Sequence, residues 1–345
     1  MSESGNKLSL KLNKMVKMVT KSHLLHSYYL YPKNRMKPFS RRTFLQSATL
    51  LAGSLTINPV PVLKTAPKPL RLGGPIFLKS DDPEELAREH RRLNYSSAYV
   101  PAVKNSETDK IRAIRDAFSK QNVLIAEVGA WVNMLDQDAE KRQKNRTYVT
   151  ERLALADEIG ALTCVNIAGS YNPNQWDGPD ARNFSKEYFD ATVENCRKVI
   201  DAVKPKKAKF ALEMMGWSLP DGPDSYLKFI KAIDRPAFGA HIDMANIINT
   251  PERFYKNTEL INETFRKLGR WIVAVHAKDV HGKDVHFAET MPGRGNLDYL
   301  AYLRNVTALP QETPFLLEHL RTAEEYDEAR QFVIKKAAEA GIPLA

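Results

Sequence analysis

From Arg71 onward the chain alternates eight times between a short apolar run and a longer stretch with helical periodicity. The runs fall at 71–76, 97–101, 123–128, 164–168, 209–213, 238–243, 272–276 and 315–318. The helical stretches fall at 83–93, 108–120, 138–159, 185–203, 223–233, 251–268, 297–306 and 323–340. Several open on a helix-start signal: Asp82-Pro83, Asp224-Ser225, Thr250-Pro251 and Thr322. Strict alternation of this kind predicts parallel strands joined by crossover helices. Eight units in about 275 residues match a single-domain α/β protein, a (β/α)8 TIM barrel. A doubly wound open sheet is the competing arrangement. Its Gly-x-Gly-x-x-Gly loop is missing, because Gly73-Gly74-Pro75 does not fit that pattern.

The net charge of +10 suggests nucleic acid only until it is placed along the chain. Residues 1–70 hold 12 Lys and Arg against one acid, Glu3, whereas 71–345 carry 39 basic against 40 acidic residues. The folded part therefore lacks the overall basic excess that favours phosphate binding, and no nucleic-acid partner is expected. The basic excess belongs to a leader: Ser40-Arg41-Arg42-Thr43-Phe44-Leu45-Gln46, then a mildly apolar stretch over 47–57, then a Pro-rich linker over 59–69. The apolar stretch is too short for a stable membrane span. Twin Arg followed by Phe-Leu resembles a twin-arginine export signal, which implies the twin-arginine (Tat) export machinery as a partner and a periplasmic or exported location. Met36 stands just before the signal and is the expected translation start, with 1–35 as an upstream extension. The expected division is thus 1–70 for extension, signal and linker, and 71–345 for the barrel. Two cysteines, Cys164 and Cys196, make neither a disulfide framework nor a zinc site and read as buried small hydrophobes.

The fifth to eighth runs end alike. They close on Glu213, Asp243, His276 and Glu318, at spacings of 30, 33 and 42 residues, one strand–helix unit each. Neighbouring strands of a barrel present their C-terminal ends together on the face where barrel active sites lie. One Glu at a strand end is ordinarily a solvated loop acid; four such residues in successive units are not. Three carboxylates brought together repel one another and lose hydration, and a divalent cation offsets both effects. Carboxylate oxygens with one imidazole suit Mn²⁺ first, with Mg²⁺, Co²⁺ or Zn²⁺ as alternatives.

The barrel segment resembles the xylose-isomerase-like barrels of the sugar phosphate isomerase/epimerase group, which includes tagatose 3-epimerases. That group's metal ligands run Glu, Asp, His, Glu on strands five to eight. His276-Ala277-Lys278-Asp279 is similar to its His-x-Lys-Asp, and Gly293-Arg294-Gly295-Asn296-Leu297-Asp298 to its Gly-x-Gly-x-x-Asp loop. The resemblance implies one divalent metal on Glu213, Asp243, His276 and Glu318. It also implies proton transfer by Glu213 and Glu318 through an enediolate, and a small carbohydrate substrate. One departure matters. The group usually places a His three residues after the strand-six Asp, where this chain has Asn246. Asn donates hydrogen bonds but carries no proton at neutral pH. That weakens simple ketose 3-epimerisation, and His281 and His286, in a long loop after the seventh run, are the candidate substitutes.

Further substrate contacts are expected from Glu127, Trp131, Asn166, Asn246, Lys278, His281 and Arg294. Trp176 and Trp217 sit in loops that could stack on a sugar. His241, two residues before Asp243, shares its strand face; it either sits beneath the metal or packs in the barrel, and packing is the favoured expectation. The leading expectation is an exported, metal-dependent isomerase or epimerase of a free sugar or sugar derivative. The alternative is a lyase that eliminates the aglycone from 3-keto-glycosides; an endonuclease-IV-like repair enzyme and a non-catalytic sugar-binding module rank below both. Oligomeric state is left open.

Overall fold

The computed structural model describes residues 67–345. The leader lies outside them, with its twin Arg, Met36 and most of the linker.

Eight parallel strands close into a barrel. They are β1 (Arg71–Gly73), β2 (Ser97–Tyr99), β3 (Leu124–Gly129), β4 (Thr163–Asn166), β5 (Lys209–Glu213), β6 (Phe238–Asp243), β7 (Ile272–Ala277) and β10 (Pro314–Leu317). Each pairs with its sequence neighbour, and β10 closes on β1 through Leu72 opposite Phe315. The outer helices are α1 (Pro83–Arg92), α2 (Thr108–Lys120), α3 (Ala139–Ile159), α4 (Lys186–Val203), α5 (Pro223–Ile233), α6 (Pro251–Tyr255), α7 (Asn257–Leu268), α8 (Tyr299–Ala308) and α9 (Ala323–Glu339). Strands buried on both faces read as continuous apolar runs, which is why every barrel strand was visible in the sequence.

Local chemistry sets the helix starts. Asp82 caps α1 by accepting from Glu84 N at 3.0 Å, ahead of Pro83, and Thr250 caps α6 by accepting from Arg253 N at 3.2 Å. Asp224-Ser225 does not cap α5: the helix begins at Pro223, and Asp224 reaches across to Lys267 at 2.5 Å.

Two expectations need correction. The stretch 251–268 is not one helix but α6 and α7, broken at Lys256. There Asn257 donates its amide to Phe254 O (2.9 Å) and Asn296 O (3.1 Å), tying the joint to the loop before α8. The segment after β7 is not a plain loop. It folds into an antiparallel hairpin, β8 (Asp279–Lys283) and β9 (His286–Thr290), with Asp284 at positive φ in the turn.

Helix tyrosines fix the strand ends from outside. Tyr226 of α5 donates to Leu212 O at 2.6 Å, Tyr302 of α8 to His276 O at 2.9 Å, and Tyr299 to Lys278 O at 2.8 Å. Each bond satisfies a buried carbonyl and pins the backbone that carries a candidate site residue. Asp279 anchors the next loop. Its Oδ1 accepts from Val280 N and Leu297 N at 2.8 and 2.9 Å, and its Oδ2 accepts from Gly293 N and Gly295 N, both at 3.1 Å. A Cβ at Gly295 would collide with that carboxylate, so the loop's second glycine is set by close approach.

Candidate metal centre and active site

Glu213, Asp243 and His276 occupy the C-terminal ends of β5, β6 and β7, and Glu318 follows β10 directly. The register places Asp243 opposite His276 and His276 opposite Leu316, so the four residues converge. One donor atom from each lies within 4.8 Å of every other. His276 Nδ1 is the hub, 2.8 Å from Glu318 Oε1, 3.1 Å from Glu213 Oε1 and 3.8 Å from Asp243 Oδ2. A shift of register between Ala240 and His241 turns the end of β6 into this arrangement, as bulges beside active sites do.

The donor set fits a divalent cation. Asp243 Oδ2 and Glu318 Oε1 are buried, and what reaches them is the Lys278 ammonium, at 2.7 and 2.9 Å, and for Glu318 also His276 Nδ1 at 2.8 Å. Carboxylates converging at such depth need positive charge beside them, which a divalent cation would also supply. Three carboxylates and one imidazole, with neither cysteine nearby, form a hard, oxygen-rich set. Cys164 on β4 and Cys196 on α4 are free and buried, as expected.

A second set of partners lies beneath. Glu127, near the end of β3, places Oε2 3.0 Å from His241 Nε2 and 3.5 Å from His276 Nε2. The His241 ring stands edge-on to that of His276, 4.2 Å between centroids. His241 therefore does more than pack: it donates to the carboxylate that faces the back of His276. At 3.5 Å Glu127 faces His276 Nε2 as a charge and not as a hydrogen-bond acceptor, while His276 Nδ1 is turned to the cluster.

Lys278 enters from above. Its buried ammonium lies 2.7 Å from Asp243 Oδ2, 2.9 Å from Glu318 Oε1 and 3.2 Å from Glu289 Oε2 on β9. It also donates to Asn246 Oδ1 at 2.9 Å, while Asn246 Nδ2 donates to Glu213 Oε1 at 3.1 Å. Asn246 thus ties Lys278 to Glu213.

Burial pushes all these carboxyls up, and the cations decide the outcome. At Asp243, Lys278 and His276 outweigh burial and hold the carboxyl well below the usual carboxylate range. At Glu127, burial is overcome by His276 and His241, and the value falls to about 2. Glu318 is also lowered against its burial, by His276 and Lys278. Glu213 goes the other way, raised by burial and by the facing charge of Glu318. For Lys278, burial opposes the charge, and Asp243, Glu213, Glu318 and Glu289 together raise it.

Above the cluster opens a cavity of about 740 Å³. Every barrel strand contributes to its lining, from Pro75 after β1 to Glu318 and His319 after β10. Of the expected substrate contacts, Glu127, Trp131, Asn246 and Lys278 line it, as does Trp176. The others do not. Asn166 is fully buried, its amide spent on Val132, accepting from N at 3.2 Å and donating to O at 3.1 Å. His281 sits on β8 opposite Ala288, outside the lining, and His286 is exposed at the hairpin. Arg294 is exposed and paired with Glu328 at 2.6 Å. Trp217 is 63% exposed and also outside the lining.

Among the lining residues that the sequence reading did not single out are Tyr99, Glu289 and His319. Tyr99 donates to Leu317 O at 3.2 Å. His319 Nδ1 lies 3.1 Å from Glu289 Oε1, and its backbone is left-handed at φ 58°. Its place directly after Glu318 was the available signal. Glu289 had none, because the hairpin that carries it was not foreseen.

The profile of the xylose isomerase-like TIM barrel family matches residues 87–336. No curated protein matches the chain in sequence. Several solved structures share its fold. A xylose isomerase-like TIM barrel protein from Mycobacterium smegmatis, in complex with magnesium, is 18% identical, with TM-score 0.55 over 74% of this chain and 88% of that one. The 3-keto-D-glucoside 4-epimerase of E. coli is 13% identical, with TM-score 0.58 over 78% and 99%. Endonuclease IV from Thermus thermophilus is 14% identical, with TM-score 0.59 over 79% and 100%. Identities this low speak to the fold alone, and the family rests on the profile match across most of the barrel. This chain belongs to the xylose isomerase-like TIM barrel family.

Proposed function

We propose that this protein is a divalent-metal-dependent isomerase or epimerase of a sugar or sugar derivative, acting by proton transfer beside a carbonyl. The observation that carries the proposal is the convergence of Glu213, Asp243, His276 and Glu318 within 4.8 Å, with Glu213 and Glu318 lining the cavity. These four would hold the cation, with Mn²⁺ or Mg²⁺ favoured by the oxygen-rich set. When bound, the cation polarises a substrate carbonyl and its neighbouring hydroxyl, making the adjoining C–H more acidic. Glu213 and Glu318 belong to the outermost of four consecutive strand ends, β5 and β10. A substrate seated between them meets a carboxylate on each side. One removes the α proton and the other returns a proton to the opposite face. Lys278 and Asn246 keep these carboxylates in place and offer donors to substrate oxygens. The E. coli structure of similar fold is named as an epimerase of a keto-glucoside, which agrees with this chemistry.

A lyase eliminating the aglycone from a 3-keto-glycoside is the second reading. Asn246 favours it: it stands where a proton-carrying His would serve epimerisation, and it bonds Glu213 and Lys278 instead. A DNA substrate is disfavoured by the 39 basic against 40 acidic residues of 71–345. Export by the twin-arginine route belongs to the same proposal and suits an unphosphorylated sugar.

The test is incubation with free ketoses and with 3-keto-glycosides in D₂O, followed by NMR. An isomerase or epimerase leaves deuterium at the reacting carbon and releases no fragment. Stoichiometric aglycone release without exchange selects the lyase. Glu213→Gln and Glu318→Gln should each cost at least about 100-fold. Full activity in both variants would end both readings.

A further inference from the structure

The cavity is not uniform. On one side Glu213 and Glu318 of the acid cluster line it, from the ends of β5 and β10, with Lys278 after β7 and Asn246 after β6. Across the closed barrel, β3 faces β7 and β4 faces β10. The loops after β3 and β4 carry Trp131 and Trp176, with Ile167 directly after β4, and all three line the cavity. The two indoles keep 41% and 37% of their surface exposed. Apolar surface of that size, left open across from charged lining residues, marks a binding wall.

The loops that carry the two indoles are held in place. Trp131 folds back over Gly129, where a Cβ would collide with its ring nitrogen. The strand end is further tied down by Arg152, which donates to Gly129 O at 3.0 Å. The loop of Trp176 is fixed from inside: Ser170 Oγ donates to Gly178 O at 2.7 Å, and Asn172 Nδ2 donates to Pro179 O at 2.8 Å. Asn172 Oδ1 also accepts from Asn174 N and Gln175 N at 2.8 and 3.1 Å. A loop held by so many hydrogen bonds leaves little backbone to order when a partner meets the aromatic it carries.

A single sugar ring anchored to the acid cluster fills only part of about 740 Å³. We infer that the Trp131–Trp176 wall is a second subsite, and that the ligand is a glycoside whose sugar sits on the acid cluster while a flat aglycone lies against Trp131 and Trp176. The shared chemistry is a planar face with little charge, which an aryl group or a second sugar ring supplies. This inference rests on the proposed carbohydrate function but not on its proton chemistry.

Binding without turnover tests it. Glucose, methyl glucoside, phenyl glucoside and cellobiose are titrated into the purified full-length protein by calorimetry. Phenyl glucoside or cellobiose, or both, should bind about tenfold more tightly than methyl glucoside, the effect of one good stacking contact. Whichever does so identifies the aglycone as aryl or sugar. In Trp131→Ala and Trp176→Ala that ratio should fall towards one. Saturation-transfer NMR on the unmutated protein gives a readout that no variant can spoil: aglycone protons should saturate more strongly than sugar protons. Equal affinity for methyl glucoside and both larger ligands overturns the subsite. So does a ratio unchanged in both variants, or no binding of either larger ligand on the order of 10 mM. Should the D₂O experiment show no proton exchange while the ratio holds, the enolisation reading fails and the subsite stands.

Discussion

The ammonium of Lys278 stands 2.7 Å from Asp243 Oδ2, buried among the carboxylates that would hold a metal. The fold therefore places a cation of its own against the same oxygens. At about 4 Å a unit charge is worth on the order of 1–4 kcal/mol across the dielectric range between water and a protein surface. Lys278→Met should strengthen binding of Mn²⁺ or Mg²⁺ by about tenfold or more, measured by calorimetry on metal-stripped protein. Activity should fall, because the donor to Asn246 and Glu318 is gone. Unchanged or weaker metal binding would show that Lys278 does not share the site.

Glu127 acts on the cluster through His276, 3.5 Å from its Nε2, with His241 donating from the side at 3.0 Å. Glu127→Gln keeps the volume but can present its amide N–H₂ to the two rings. Loss of such a partner to a metal-facing histidine costs about 10–100-fold in metal affinity. The variant should fold normally by circular dichroism and bind the ion that much more weakly. Affinity within about twofold of the unmutated protein would assign Glu127 to packing alone.

These two groups show what the sequence could and could not reveal. Glu213, Asp243, His276 and Glu318 were legible because each ends an apolar run, and barrel topology alone brings such ends together. Glu127 was visible for the same reason, but its partner was not: whether a strand-end carboxylate faces solvent or a buried histidine depends on packing. Asn166 looked equivalent and instead holds the Val132 backbone. The β8–β9 hairpin was missed because half-exposed strands in an excursion lack a continuous apolar run. Arg294 was drawn in by its glycine-rich loop, yet the functional anchor there is Asp279, whose carboxylate organises the loop from within.

That anchor is testable by stability. Asp279 accepts four backbone N–H bonds with its two oxygens. Asp279→Asn leaves one oxygen and turns an N–H₂ toward two donors. Loss of charge-assisted bonds with donors left unsatisfied should cost roughly 2–4 kcal/mol. A urea midpoint unchanged from the unmutated protein would show that the loop holds itself.

Export is tested on the leader. Replacing both Arg41 and Arg42 with Lys should trap precursor in the cytoplasm, seen by fractionation and immunoblot. A chain begun at Met36 should be exported as well as the full sequence. Normal export of the double-Lys variant would remove the twin-arginine assignment and the periplasmic location with it.

The last prediction concerns pH, at a site far from the metal cluster in sequence and chemistry. His90 on α1 is buried between Tyr95 and Phe118, and its Nδ1 lies 2.8 Å from Leu86 O. Burial lowers its pKa below the ordinary 6.5; the Leu86 carbonyl, which favours a protonated ring, only partly offsets this. The unfolded chain then binds this proton more readily than the folded one, so His90 makes stability rise with pH up to about 6.5 and fall as pH drops below it. His90→Gln removes the titration. The stability difference between the unmutated protein and this variant, from urea midpoints, should therefore shrink as pH falls from about 7 to 5. A difference that stays constant across that range would mean the ring charges without penalty inside the fold, and the burial argument for His90 would be wrong.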